Sequence, residues 1–325
     1  MAKIIIVGAG ISGLVAAREL QNAGCEVCIL EKNAQAGGRM ATREIGDAMF
    51  DSGAQFFTAR HTEFRTALAH WIYHGVAREW FEGYPSPEDQ KPHDIYSRYC
   101  GVRGMNVIAQ FLANDLEIHL QTEIQTLDFQ NQIWTARAAS GREYSGDFLI
   151  LTAPIPQSLS LFDSCDGVLP APTRAALESV EYEPCFAILA NLKNAAKLPA
   201  PGALYVDEEP IAWLADNFQK GVSSRAGAIT IHSTGKFARE NFEAGEHFVA
   251  QTLWAAAQKY FAAPIEMENF QVRRWRFSKP QNALEEGAIF TSDLKLCFAG
   301  DGLNGAKIEG AFCSGLEAAR RIIRK

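Results

Sequence analysis

Three things are scarce in this 325-residue chain: long apolar runs, surplus positive charge and a cysteine framework. No hydrophobic stretch is long enough to read as a bilayer span, so no membrane partner is expected. Thirty-one Lys and Arg stand against 38 Asp and Glu, a net charge of −7. Nucleic acid and anionic membranes therefore have no general electrostatic claim on it, and any phosphate must be bound locally. Seven scattered cysteines form no disulfide scaffold. Cys25 and Cys28 make a C-x-x-C, but in a strand residues three apart point to opposite faces, which argues against a working dithiol. His70 and His74 share a helical spacing without a third ligand nearby in sequence, so no metal is expected. A G-x-S-x-G elbow, internal repeats and low-complexity tracts are also absent, and residues 84–92 form the most loop-like stretch. The expected location is cytoplasmic.

What is present is a chain of ordinary hydrophobic content, 47%, long enough for two intimately joined domains. "KIIIVG" is a short β-branched run suited to a buried parallel strand. "ISGLVAARELQNAG" has helical spacing with a stop at Gly24, and "CEVCILEK" reads as the next strand. Gly8, Gly10 and Gly13 complete G-x-G-x-x-G inside this βαβ unit, and Glu31 follows Gly13 by 18 residues. That register defines a dinucleotide site: a tight turn, close approach of a pyrophosphate, close helix packing, and an acid for a ribose.

A nicotinamide-nucleotide fold would continue with further βα repeats after Glu31. Instead "GGRMATREIGDAMFDSGAQFF" follows, residues 37–57. Gly37 and Gly38 permit close backbone approach, Arg39 brings a guanidinium for phosphate or a carboxylate, and Gln55 brings an amide. These residues suit a ligand that extends beyond a nicotinamide nucleotide. Near the end, "LKLCFAGD" reads as a strand and "IEGAFCSGLEAARRIIRK" as a helix that rejoins the N-terminal sheet. Asp301 suits a polyol, and the amides of Glu309, Gly310 and Ala311 present a partly positive helix end.

The fingerprint, Glu31, "GGRM", "DSGAQFF" and "FAGD...EGAFCSG" together resemble the FAD-binding set of the glutathione-reductase and amine-oxidase-like flavoproteins. With "GAQFFTAR", "GMNVIAQFL", "ILTAPIPQS", "TIHST", "RRWRFSKP" and "CFAGDGLNGAKIEGAF", the chain is similar along nearly its whole length to the bacterial renalases. The resemblance implies an α/β fold: a Rossmann-type FAD-binding domain with an interleaved α+β substrate domain, p-hydroxybenzoate-hydroxylase/amine-oxidase-like. The expected division is 1–58, 98–156 and 284–325 for FAD, and 59–97 and 157–283 for substrate. Matching motifs place Ser12 and Arg39 at the pyrophosphate, Glu31 at the adenosine ribose with Lys32 beside it, and Asp301 at the ribityl chain or phosphates. Gly38, Met40, Ala54, Gln55, Phe56, Ile308, Glu309 and Gly310 complete the cofactor set. Ile124 either meets adenine through its backbone or packs in the core.

The implied reaction is oxidation of the 2- and 6-dihydro isomers of NAD(P), with hydride passing to flavin N5 and O2 returning the electrons as H2O2. FAD would be noncovalent, because no cysteine precedes "LKLCFAGD" to carry the family's covalent link. On the substrate side Phe56, Phe57 and Trp275 are candidates for an aromatic wall, each with core packing as the alternative, and Thr58 is a candidate for the same pocket. His232 is either structural or substrate-facing, and Arg276 either a solvated edge or a phosphate ligand. Lys307 stands three before Gly310, where amine oxidases usually carry an aromatic cage residue, and a cation there disfavours an ammonium substrate. The competing readings are a flavin amine oxidase, a non-catalytic flavin protein, and a carotenoid-desaturase-like enzyme for which the chain is short.

Overall fold

The computed structural model describes residues 1–83, 94–163, 165, 167–195 and 197–324, so the loop-like stretch 84–92 lies outside the described residues. The strand Lys3–Val7 sits mid-sheet because Ile4, Ile5 and Ile6 are buried on both faces. Each such side chain contributes about 1.5–3 kcal/mol of hydrophobic stabilisation. Its parallel neighbours are Glu26–Leu30 and Phe148–Leu151. Glu117–His119 extends the sheet on one side, and Leu296–Phe298 with the antiparallel edge strand Ile289–Thr291 completes six strands on the other.

The helix Ile11–Asn22 follows the first strand, and the terminal helix Ile308–Ile323 packs on it through small residues. A Cβ on Gly315 would lie 2.3 Å from the Ser12 carbonyl oxygen, so only glycine allows this approach. Ala318 and Ala319 join Leu14, Ala16 and Ala17 in the same core. Against the other face of the sheet lies a three-stranded antiparallel unit, Ile124–Gln130, Ile133–Ala138 and Glu143–Gly146, packed through Leu127, Trp134 and Ala136.

A second sheet is wholly antiparallel, in the order Ala203–Glu208, Ile211–Asp216, Ala228–Ser233, Tyr182–Leu192 and Met267–Pro280. Its outer face is covered by the helices Gly235–Glu240 and Glu246–Ala257, which bury Phe237, Val249, Leu253 and Trp254 against Phe186, Ile188 and Ile231. A hairpin-like pair, Ala77–Glu82 with Ser97–Gly101, brings Phe81 and Trp80 against Trp213 of this sheet. Ser97–Gly101 straddles the expected boundary at residue 98, and its pairing keeps it with Ala77–Glu82.

Helix propensity favours Ala over Gly by about 1 kcal/mol in a helix interior. At position 315 overpacking should win by about 1–3 kcal/mol. Gly315→Ala is therefore expected to lower the urea midpoint, and an unchanged or raised midpoint would show that the two helices do not meet this closely.

Candidate active site

The glycine-arginine loop and the loop after Asp51 lie back to back. Ala54 N–H donates to the Arg39 carbonyl at 2.9 Å and Ser52 N–H to the Ala41 carbonyl at 3.0 Å. A Cβ on Gly53 would come within 2.0 Å of the same Arg39 oxygen. Asp51 ends the strand Ala48–Asp51 and is the hub of this region. Its Oδ1 accepts from Thr42 Oγ1 at 2.6 Å and from the Met105 amide at 2.8 Å. Its Oδ2 lies 2.7 Å from Lys220 Nζ, and both side chains are fully buried. The Asp51 amide donates to Asn217 Oδ1, while its carbonyl accepts from Thr230 Oγ1 and Gln55 Nε2. Lys220 also reaches Gln55 Oε1 at 3.4 Å and sits 4.7 Å from the Trp80 ring centroid. These contacts tie the loop to the five-stranded sheet.

Between the two sheets lies a cavity of about 790 Å³. Gly10, Ser12, Arg39, Met40, Ala54, Gln55, Phe56, Phe57, Thr58, Asp301, Lys307 and Ile308 line it from one side, and His232 and Trp275 from the other. Phe56 packs 5.3 Å from Trp213, which also lines the cavity. Trp275 Nε1 donates to the Ser52 carbonyl at 2.8 Å, which fixes the indole. His232 hydrogen-bonds the Ser52 backbone, while its Nε2 is buried without a partner. Burial and, second, the Lys220 charge push His232 down to about 4, so the imidazole is neutral near pH 7.

Other residues of the expected site fall elsewhere. Arg276 is outside the cavity: strand alternation turns it away from Trp275, and it pairs with Glu243 at 2.9 Å over the Phe242 ring. Phe57 touches the cavity, but only 4% of it is exposed and its ring packs on Phe64, Trp71 and Tyr99. Ile124 is buried beside Leu127 and Trp134, a core position. Arg39 is already engaged, by both oxygens of Asp301 at 2.6 and 2.7 Å and by the Ser278 carbonyl. Burial opposes its charge, but the Asp301 carboxylate prevails and holds the guanidinium above its ordinary value. Arg39 and Asp301 thus enter the site as one ion pair, and of the two partners the sequence offered Arg39, phosphate or a carboxylate, the carboxylate is the one present.

Glu31 and Lys32 also lie outside the cavity lining. Glu31 Oε2 accepts from the Ala9 amide at 2.8 Å, and Oε1 accepts from both nitrogens of Asn33. One acceptor position remains, on Oε2. Glu309 Oε1 accepts from the amides of Arg60 and His61, and Gly310 lets the helix start pack on the turn before it. The Ala311 amide closes the first helical turn on the Lys307 carbonyl at 3.0 Å. The open amides are accordingly those of residues 308–310, one place earlier than expected. Gly8, Gly13 and Gly38 support the loop from behind the lining.

The His70 and His74 rings lie 4.3 Å apart, but the one trio of possible donors among the described residues is Cys28, Glu117 and His119, away from the cavity. Burial, then Glu117, pushes the Cys28 thiol up to about 12, which disfavours the thiolate that metals require.

The site has the features a flavin nucleotide needs. Ser12 Oγ is buried with no hydrogen-bond partner, and the helix it belongs to has no side-chain cap. A Cβ at Gly10 would meet nothing within 4 Å, so a ligand can lie against this backbone. Ser12, Gly10 and the helix amides would hold the pyrophosphate, and the start of the terminal helix would face a group that gains negative charge.

A two-layer dinucleotide fold with this paired site defines an FAD-dependent oxidoreductase. Residues 87–323 match the flavin containing amine oxidoreductase family, and residues 6–71 match an NAD(P)-binding Rossmann-like domain. The chain belongs to the flavin containing amine oxidoreductase family. It is 23% identical to renalase of Mus musculus over 347 residues, covering 100% of this chain and 99% of that protein. Among solved structures, cyclohexylamine oxidase from Brevibacterium oxydans superposes with a TM-score of 0.74 at 14% identity, covering 99% of each chain. A putrescine oxidase bound to putrescine gives 0.73 at 16%, covering 100% of this chain and 99% of that one.

Sequence reasoning missed Lys220 and Trp213. Lys220 sits in "NFQKGVSS", which reads as a polar turn, and its partner is 169 positions away. Trp213 shares its face with Ala215, against Phe81, while a register shift between Ile211 and Trp213 leaves Ile211 in the core of the other face, so strand alternation counted from Ile211 misplaces it.

The neutral His232 has a consequence for pH. The unfolded chain protonates this ring near 6.5, while the folded chain resists until about 4. Its contribution is full above 6.5 and is lost as pH falls toward 4, up to about 3 kcal/mol. His232→Gln is expected to flatten the fall in urea-unfolding stability across that window, and an unaltered slope would remove His232 as its source.

Proposed function

We propose that the chain oxidises the 2- and 6-dihydro isomers of NAD(P), with O2 as electron acceptor. The balanced reaction takes the dihydro isomer, a proton and O2 to NAD(P)+ and H2O2. FAD, held noncovalently, supplies a two-electron acceptor when bound. Cys185 is the one cysteine lining the cavity, and burial pushes its thiol up to about 12, which suits a noncovalent site.

The observation that carries this reading is the joining of full-length similarity to renalase with Lys307 at the cavity lining. A cationic side chain there opposes an ammonium substrate and favours one bearing phosphate. Phe56, Trp213 and Trp275 offer flat apolar surface to a dihydronicotinamide ring and exclude water from it. The hydride donor needs no general base, and a neutral His232 with an unpartnered Nε2 is suited to orient a carboxamide. A flavin amine oxidase is the second reading, favoured by the family match.

Anaerobic stopped-flow absorbance of the yellow protein separates them. The flavin is expected to bleach rapidly with 6-dihydro-NAD, slowly with ordinary NADH and not with a panel of amines. Peroxide should follow on admitting oxygen. Bleaching by an amine alone would transfer the chain to amine oxidation, and bleaching by none would leave flavin binding without this turnover.

A further inference from the structure

The cavity carries a charge opposite to that of the chain. Among the described residues seven cationic ones line it against four anionic ones, in a protein whose net charge is −7. Three of the cations are neutralised in place. Arg39 pairs with Asp301, Arg98 with Asp94 at 2.7 Å, and Lys279 with Glu183 at 2.8 Å. The fourth anion, Glu209, accepts from Thr234 Oγ1 at 2.7 Å. Arg60 lies 4.1 Å over the Tyr96 ring. The side chains of Lys236, Arg239 and Lys307 make neither an ion pair nor a hydrogen bond among the described residues, and all three residues line the cavity.

Lys236 and Arg239 share the helix Gly235–Glu240 at a spacing of three, which makes them neighbours on one face. The helix is fixed by Phe237 and Ala238, buried in the core, and by Thr234 Oγ1, which accepts from the Phe237 amide at 3.2 Å. The backbone beneath the two cations is therefore rigid, and their long stems are free to reach into the cavity. A solvated helix face explains exposed cations but not their concentration, with Lys307 from a different element, around one cavity. An arginine fork beside a lysine ammonium matches the oxygens of phosphate.

We infer that Lys236 and Arg239 form an anion subsite that holds the pyrophosphate of the dinucleotide substrate, with Lys307 adding to the field. The inference rests on the dinucleotide reading above and deepens it. Gly10 and Ser12, which would hold FAD, belong to the other domain layer from the helix Gly235–Glu240, so the two cations would be left to the substrate. The subsite governs affinity, and the aromatic surface governs the reacting ring.

The test uses FAD-loaded protein titrated calorimetrically with ADP and with adenosine. ADP is expected to bind at least about tenfold more tightly than adenosine, with an affinity that falls as salt is raised. Lys236→Ala with Arg239→Ala should weaken ADP about tenfold or more and raise KM for 6-dihydro-NAD rather than lower kcat. The charge-retaining Lys236→Arg should keep ADP binding. Both altered side chains are exposed, and an unchanged flavin spectrum verifies that the variant folds. Equal ADP affinity in wild type and double variant, or adenosine binding as tightly as ADP, would overturn the subsite. ADP binding that depends on the pair, in a protein whose flavin no dihydro isomer bleaches, would uphold the subsite and defeat only the substrate reading.

Discussion

The buried contact between Asp51 and Lys220 is the constraint on which the site depends. Removing two charges from water costs several kcal/mol per ion, so the pair is stable only because its other contacts are satisfied. Thr42 and the Met105 amide serve Asp51, while Gln55 and the Trp80 face serve Lys220. The carboxylate comes from the end of the strand Ala48–Asp51, beside the glycine-arginine turn, and the ammonium from the turn after the strand Ile211–Asp216. One contact therefore sets the separation of the two walls of the cavity. It also acts on the chemistry, because the Lys220 charge is one reason His232 stays neutral.

The legible parts of the molecule were those whose signal is local. The glycine fingerprint, the βαβ spacing and the small-residue face of the terminal helix each lie within one stretch, and backbone geometry gives each a reason. Partners distant in sequence were not legible. Arg39 and Asp301 were recognised as site residues, but nothing local says that they bond each other across 262 positions. Lys220 looked like a turn lysine because a buried ion pair has no periodicity to announce it. "RRWRF" alternates cation and aromatic, so which of Trp275 and Arg276 faces inward was a matter of strand parity. Pairing with Tyr182–Leu192 fixes that parity, placing Trp275 opposite Cys185.

Fold and cofactor are common to a family whose members act on different donors, so specificity must lie in the lining. Here the lining is aromatic near the flavin loop and cationic where the helix Gly235–Glu240 and Lys307 contribute. A substrate with a flat, hydride-donating ring at one end and phosphates at the other fits that division. An amine would find the unpaired cations repulsive, and three of the four lining acids among the described residues, Asp94, Glu183 and Asp301, are already engaged by cations of the chain.

Asp51 and Lys220 act as one unit that joins the glycine-arginine loop to the five-stranded sheet. A double-mutant cycle with Asp51→Asn and Lys220→Met, read by urea unfolding and by flavin retained after gel filtration, tests this coupling most directly. Breaking a buried pair by removing one partner costs about 3–5 kcal/mol, so each single variant should lose stability and flavin. The double variant, with no charge left unpaired, should recover much of both. Additive losses in the double variant would show that Asp51 and Lys220 act independently.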